Sequence, residues 1–199
     1  IFDVDGTLDS LDQTNIRSAI DTYMASAVTT IGNRLGIAGN PDYVIRPGAE
    51  VRAIGDLTVT DDWDFAGWTN TGNLTIRTPG NLRFDGGLLD GLVTTGFGPS
   101  AKFEQTDGPH WSYAAIAGAD TASALPEATL GRGLTEGDAI LTIADATGIR
   151  TGTGDMVLAA DGDIVFEGPK SRVYTTGVAA RPPEQEGFGF LAIQKNWAK

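Results

Sequence analysis

A five-residue pattern of glycine, aspartate or asparagine, an apolar residue, any residue and a second apolar residue recurs along the chain and limits what it can fold into. It stands at Gly55-Asp56-Leu57-Thr58-Val59, Gly72-Asn73-Leu74-Thr75-Ile76, Gly80-Asn81-Leu82-Arg83-Phe84, Gly154-Asp155-Met156-Val157-Leu158 and Gly162-Asp163-Ile164-Val165-Phe166. A looser copy stands at Gly137-Asp138-Ala139-Ile140-Leu141. Each copy reads as a turn feeding a short strand with alternating faces, so the chain is expected to be built of paired or stacked strands punctuated by glycine.

The copies keep order. Gly55, Gly72 and Gly80 are spaced by 17 and 8 residues, and Gly137, Gly154 and Gly162 repeat that spacing at an offset of 82. Asp56 with Asp138, Thr60 with Thr142, Thr69 with Thr151, Thr71 with Thr153 and Phe84 with Phe166 coincide at the same offset. Three readings follow: an internal duplication of 55–87 as 137–169, a shared solenoid register, or coincidence in a chain rich in glycine and threonine. Strands are expected at Tyr43–Arg46, Glu50–Ile54, Leu57–Thr60, Leu74–Arg77, Leu82–Phe84 and, after the Pro182-Pro183 break, Phe188–Ile193. Residues 91–134 read as an irregular insertion between the two sets, with a small-residue run from Ala114 to Ala124.

The period changes before residue 40. Ser10-Leu11-Asp12-Gln13 has the form of a capping box, and Ile16, Ile20, Tyr23, Ala27, Ile31 and Leu35 follow at spacings of three and four, with Gly32 or Gly36 as the stop. This helix must bury its stripe either across its own β-domain or against other copies, in which case Ile16, Ile20, Tyr23, Ala27 and Ile31 would carry oligomerisation. The expected fold is mainly β: an N-terminal arm and one amphipathic helix in residues 1–40, then a Gly-punctuated β-solenoid or β-sandwich in residues 41–199.

Composition narrows the function. The 199 residues carry a formal net charge of -12, with no lysine before Lys102, which argues against a nucleic-acid surface. Without cysteine there is neither a disulfide framework nor a thiolate metal site. No apolar run approaches the roughly 20 residues of a membrane span, and no basic-then-apolar signal opens the chain. No cofactor or metal is expected.

Candidate chemistry falls on acidic clusters and aromatics. Asp61-Asp62-Trp63-Asp64 sets carboxylates beside an indole, as a carbohydrate-binding cleft does, and Asp61, Asp62 and Asp64 are the alternatives for a glycan-cleaving site. Asp85 with Asp90, and Asp161 with Asp163, are further candidate pairs, and acidic turns between strands are the plainer reading of all of them. His110 is the only histidine, so a multi-histidine metal site is excluded. Gly108-Pro109-His110-Trp111 reads as an exposed loop, and Trp63, Trp68, His110 and Trp111 are the candidate binding residues. Core or interface anchoring is the simpler reading of Trp63, Trp68, Trp111 and Trp197.

Two resemblances add to this. Ile1-Phe2-Asp3-Val4-Asp5-Gly6-Thr7 resembles the first signature of the haloacid dehalogenase-like phosphatases, which implies Asp3 as nucleophile and Asp5 as general acid beside Mg²⁺, with Lys102, Asp155 and Asp161 as later members. Strands without intervening helices after Leu35 argue against that fold. The stretch Leu134 to Ile149, followed by Gly154-Asp155-Met156-Val157, is similar to phage tail spikes and other pectate-lyase-like right-handed β-helix proteins, as is a helix placed before a Gly-punctuated β-region. That second resemblance implies a homotrimeric, non-catalytic virion component, a spike, fibre or adaptor. Its N-terminal segment would dock on other virion proteins, and its β-body would face them or a host-surface glycan.

Overall fold

The computed structural model describes residues 1–96, 101–131 and 138–177. The chain is mainly β with one long helix. Its elements are β1 (Phe2–Val4), β2 (Thr7–Leu8), α1 (Ser10–Leu35), β3 (Gly48–Ala53), β4 (Leu57–Val59), β5 (Trp63–Asp64), β6 (Asn73–Thr78), β7 (Leu82–Phe84), β8 (Leu88–Leu89), β9 (Leu92–Thr95), β10 (Lys102–Gln105), β11 (Ser112–Ala117), β12 (Leu141–Ile143), β13 (Gly148–Thr151), β14 (Met156–Ala160), β15 (Ile164–Phe166) and β16 (Arg172–Thr175). The strand expected at Phe188–Ile193, Gly137 and Trp197 lie outside the described residues.

Pairing decides between solenoid and sandwich. The strands fall into a first sheet β1-β3-β6-β11-β14, a second sheet β2-β4-β7-β12-β15 and a third sheet β5-β8-β13-β16, with every neighbour parallel. Each circuit after the first thus lays one short strand on each of three faces, which is a parallel β-solenoid. The β9–β10 hairpin is the one antiparallel pair among the named strands and stands apart from the three sheets.

The 17-and-8 spacing is one circuit of this solenoid. Val51 faces Ile76, Leu57 faces Leu82 and Trp63 faces Leu88, each 25 residues on. Gly55 and Gly80 stand at the same corner in successive circuits. The offset of 82 is two circuits with their insertions, because Leu74, Tyr113 and Met156 share one column and Phe84, Ile143 and Phe166 another. The first member of the expected correspondence slips: Leu57 is in register with Leu82 and then Leu141, an offset of 84, so Thr142 aligns with Thr58 and not with Thr60. Solenoid register, interrupted by insertions of unequal length, accounts for the pattern.

Why aspartate or asparagine follows the glycine is visible at the corners. The Asp56 carboxylate accepts the Asn81 N–H at 2.7 Å, and the Asn81 side-chain oxygen accepts the Ile140 N–H at 2.9 Å, so each corner side chain ties down the next circuit. At the corner between the second and third sheets Asp62 accepts from Gly87 N–H (2.7 Å) and Asp145 from Lys170 N–H (3.2 Å). Glycine is needed where circuits touch: a Cβ on Gly72 would lie 2.0 Å from the Pro47 carbonyl oxygen, and one on Gly154 2.0 Å from that of Trp111.

The interior is a stack of like side chains. Leu57, Leu82 and Leu141 form one column of the second sheet and Val59, Phe84 and Ile143 another, all fully buried. The small-residue stretch read as part of the insertion turns out to be central to the first sheet: β11 pairs with β6 on one side and β14 on the other, and its Tyr113, Ala115 and Ala117 face the core. Ala115 and Ala117 are fully buried between these two parallel neighbours, and that tertiary pairing outweighs alanine's weak strand preference.

The N-terminal residues also differ from expectation. Residues 1–8 are not an extended arm: β1 pairs with β3 and β2 with β4, so Asp3-Val4-Asp5-Gly6-Thr7 is strand, corner and strand of the first circuit. The helix follows where later circuits place a third-sheet strand. Its cap is Asp9 rather than Ser10, with the Asp9 carboxylate accepting from Leu11 and Asp12 N–H and Asp12 reaching back to the Asp9 N–H. It stops at Gly36 in the left-handed conformation, φ 68°. Ile16, Ile20, Met24 and Ala27 join the solenoid core, and contacts run along residues 61–70: Gln13 donates to the Asp61 carbonyl, the Arg17 guanidinium lies 4.9 Å from the Trp68 ring centre, and Asn70 donates to Asp21.

Candidate functional site

The four residues expected to bind a ligand do come together, but inside. Trp63, Trp68 and Trp111 pack with Phe65 and Tyr113 at ring separations of 4.8 to 6.4 Å where the third sheet turns back to the first. All three indoles are buried, Trp111 completely. Trp68 Nε1 donates to the Asp64 carbonyl and Trp111 Nε1 to the Asn70 carbonyl, both at 3.0 Å. No face is left for a sugar ring, so these residues anchor the core.

His110 is corrected in the same way. Gly108 and Pro109 are exposed as expected but His110 and Trp111 are buried, and the His110 ring bridges two segments: Nε2 lies 2.7 Å from Thr106 Oγ1, while Nδ1 accepts the Thr153 N–H at 3.2 Å and lies 3.1 Å from Thr153 Oγ1. The imidazole thus bridges the strand that returns from the hairpin and the next circuit. Beside it Asp90, also buried, accepts from Gly91 N–H (2.7 Å) and Trp111 N–H (2.8 Å).

The carboxylates proposed for glycan cleavage are engaged one by one with backbone amides. Asp61 accepts from Ser10 N–H at 3.0 Å, Asp62 from Gly87 N–H, and Asp64 from Ala66 N–H at 2.8 Å. Asp85 pairs with Arg83 at 2.7 Å, and Arg83 also holds Glu167 through two bonds of 2.6 and 2.9 Å. These are corner and surface supports. Asp3 and Asp5 are exposed at the first circuit, Asp3 with Arg52 at 3.9 Å, and Lys102 lies on the hairpin. Among the described residues no group of three histidine, aspartate or glutamate side chains is placed to hold a metal ion.

The helical stripe proposed for oligomerisation is largely spent within the chain. Ile16, Ile20 and Ala27 are buried against the solenoid and Ile31 packs at its margin, whereas Tyr23 stays exposed. Large apolar side chains instead remain at the surface on the outer side of α1 and just after it: Tyr23, Val28, Leu35, Tyr43 and Val44. Val28 and Tyr43 border a hollow of about 170 Å³ floored by Gly32, Ile37, Ala38 and Ile45.

A site that sequence reasoning missed lies on the outward face of the first sheet. Residues 118–131 leave β11 and fold back over that face, closed on themselves by Asp120 N–H to the Ala128 carbonyl and Leu130 N–H to the Gly118 carbonyl. Arg77 fixes this wall: its guanidinium, buried although it points outward from the sheet, bonds Glu50 at 2.5 Å and the Ser123 carbonyl at 3.3 Å. Between wall and sheet runs a groove of about 240 Å³, with Asn73, Thr75, Ser112, Ala114, Asp155 and Val157 as floor and Pro126 and Glu127 as rim. The floor supplies amide, hydroxyl and carboxylate groups beside small apolar patches, and no cation lines it among the described residues. Only the turn-rich run Asp120 to Ala128 hinted at it in the sequence.

Fold and surface together define a class: a parallel β-solenoid whose first circuit is closed by a helix, with its acidic side chains tying circuits together. Comparison with protein-family models, with curated proteins and with solved structures returned no match for this chain.

Proposed function

We propose that this chain is a structural, non-catalytic component of a phage-like particle, a spike, fibre or adaptor that acts as a homotrimer. The observation that carries the reading is the engagement of the acidic side chains. Asp56, Asp61, Asp62, Asp64, Asp90 and Asp145 accept backbone N–H groups, most of them from a neighbouring circuit, so the carboxylates stiffen a rod. A stack of parallel strands with a repeat of 25 residues resists bending and presents long lateral faces. The polar groove on the first sheet is the surface assigned to host-surface glycan or another virion protein, and the apolar residues outside α1 are assigned to the contact between copies.

Solution mass tests the assembly. Sedimentation of the purified chain should give three times its 20.8 kDa at micromolar concentration. A stable monomer under those conditions would remove the trimeric particle component as a reading.

A further inference from the structure

The groove on the first sheet holds two carboxylates that the fold does not use. Elsewhere aspartates such as Asp62 and Asp145 tie circuits together, and Glu50, on the same outward face as the groove, is engaged by Arg77 and Arg52. Asp155 on the floor and Glu127 on the rim are exposed, and neither side chain has a hydrogen-bond or ion-pair partner among the described residues. Their oxygens are open acceptors beside a concave surface of about 240 Å³.

The strand register sets smaller groups around them. Asn73 pairs with Ser112, and the Asp155 N–H donates to Ser112 Oγ at 3.0 Å, so Asn73, Ser112 and Asp155 step across three circuits, about 10 Å at the spacing of neighbouring strands. The next outward row is Thr75, Ala114 and Val157. Ser112 already accepts through its oxygen and keeps its proton to donate, while the Asn73 amide and the Thr75 hydroxyl can do either. Hydrogen-bonding groups set among small apolar side chains suit the alternating hydroxyl and C–H surface of a sugar ring. The two open carboxylates add a demand for positive charge and would repel a glycan that carries acids of its own. We infer that the groove takes a glycan with a free primary amine, a hexosamine unit whose ammonium is held by Asp155 and Glu127 and whose hydroxyls are bound by Asn73, Thr75 and Ser112. The inference rests on the reading of this groove as a glycan-facing surface and specifies the charge of the glycan.

Calorimetry on the full-length chain at about pH 6 and low ionic strength tests it with three probes: a short β-linked glucosamine oligomer, its N-acetylated counterpart and a lysine oligomer of equal charge. The glucosamine oligomer should bind about tenfold more tightly than the acetylated one. Asp155→Asn or Glu127→Gln should each weaken that binding about threefold, and the two together about tenfold, with the far-UV circular dichroism unchanged. A net charge of -12 attracts any polycation, so Asp42→Asn, which removes the same charge outside the groove, should leave the affinity within about twofold. Equal binding of the two sugar oligomers, or tighter binding of the acetylated one, would overturn the amine requirement and leave a glycan-facing groove standing. Binding of neither would remove both. A loss in Asp42→Asn equal to that in the groove variants would reduce the effect to diffuse attraction and overturn the inference. So would a lysine oligomer that binds as tightly as the glucosamine oligomer and depends equally on Asp155, which would identify a cationic protein segment as the occupant.

Discussion

Tyr113 shows how closely single residues are held in this core. Its ring packs 5.4 Å from Phe65, and its phenol oxygen is buried without a hydrogen-bond partner among the described residues. Burial, and after it the nearby Asp90 and Asp64 carboxylates, push the phenol well above its ordinary value. The native state therefore keeps the proton where the unfolded chain, with an ordinary tyrosine near 10, releases it. Stability is fully present below about pH 10 and falls as pH rises above it. Tyr113→Phe should flatten that alkaline loss and leave stability at pH 7 unchanged or raised by about 1 kcal/mol, read from denaturant midpoints in both conditions. Gly154 makes the opposite case, since a methyl there meets a carbonyl that cannot move without shifting a whole circuit. Gly154→Ala is expected to lower stability by about 1–3 kcal/mol in the same measurement. The glycine and the acidic residue after it were legible as a repeated pair. That the acid serves the next circuit's amide was not, because its partner lies about 25 residues away.

At the scale of elements, the helix divides into an inner and an outer face with different duties. Ile20 is buried against the solenoid and Tyr23 is exposed, three residues along. Ile20→Ala should cost about 2–5 kcal/mol of stability, seen as a lower denaturation midpoint. Tyr23→Asp should leave the melting of the isolated chain nearly unchanged and weaken assembly, seen as a lower sedimenting mass. The sequence stripe placed both on one face, since Tyr23 lies between Ile20 and Ala27 in a three-four rhythm. The packed stripe runs instead through Gln13, Ile16, Ile20, Met24 and Ala27. Gln13 is admitted to it because its amide finds the Asp61 carbonyl, and periodicity counted over apolar residues alone passes over such a polar member. Strand β11 was hidden for a related reason: Ala114, Ala115 and Ala117 have little strand preference, and only parallel neighbours on both sides make them a strand.

Over the whole molecule, charge and architecture act together. With a net charge of -12 and an isoelectric point near 4.3, the rod repels its own copies at neutral pH, and its solubility should pass through a minimum near pH 4.3, measured as soluble protein after equilibration across pH 3–8. The sequence by itself determined the mainly-β class, the single helix near the start, the glycine corners and the circuit spacing of 17 and 8, because turn chemistry and side-chain alternation are local properties. Tertiary structure alone decided that the strands pair in parallel on three faces, that Asp3 to Thr7 belong to the first circuit, and that Trp63, Trp68, Trp111 and His110 are interior. It also decided that residues 118–131 roof a groove over the first sheet. Each of those outcomes depends on contacts between residues about 25 to 60 positions apart, where pairing energy is set by what the neighbouring circuit presents and leaves no mark within the window that local pattern covers.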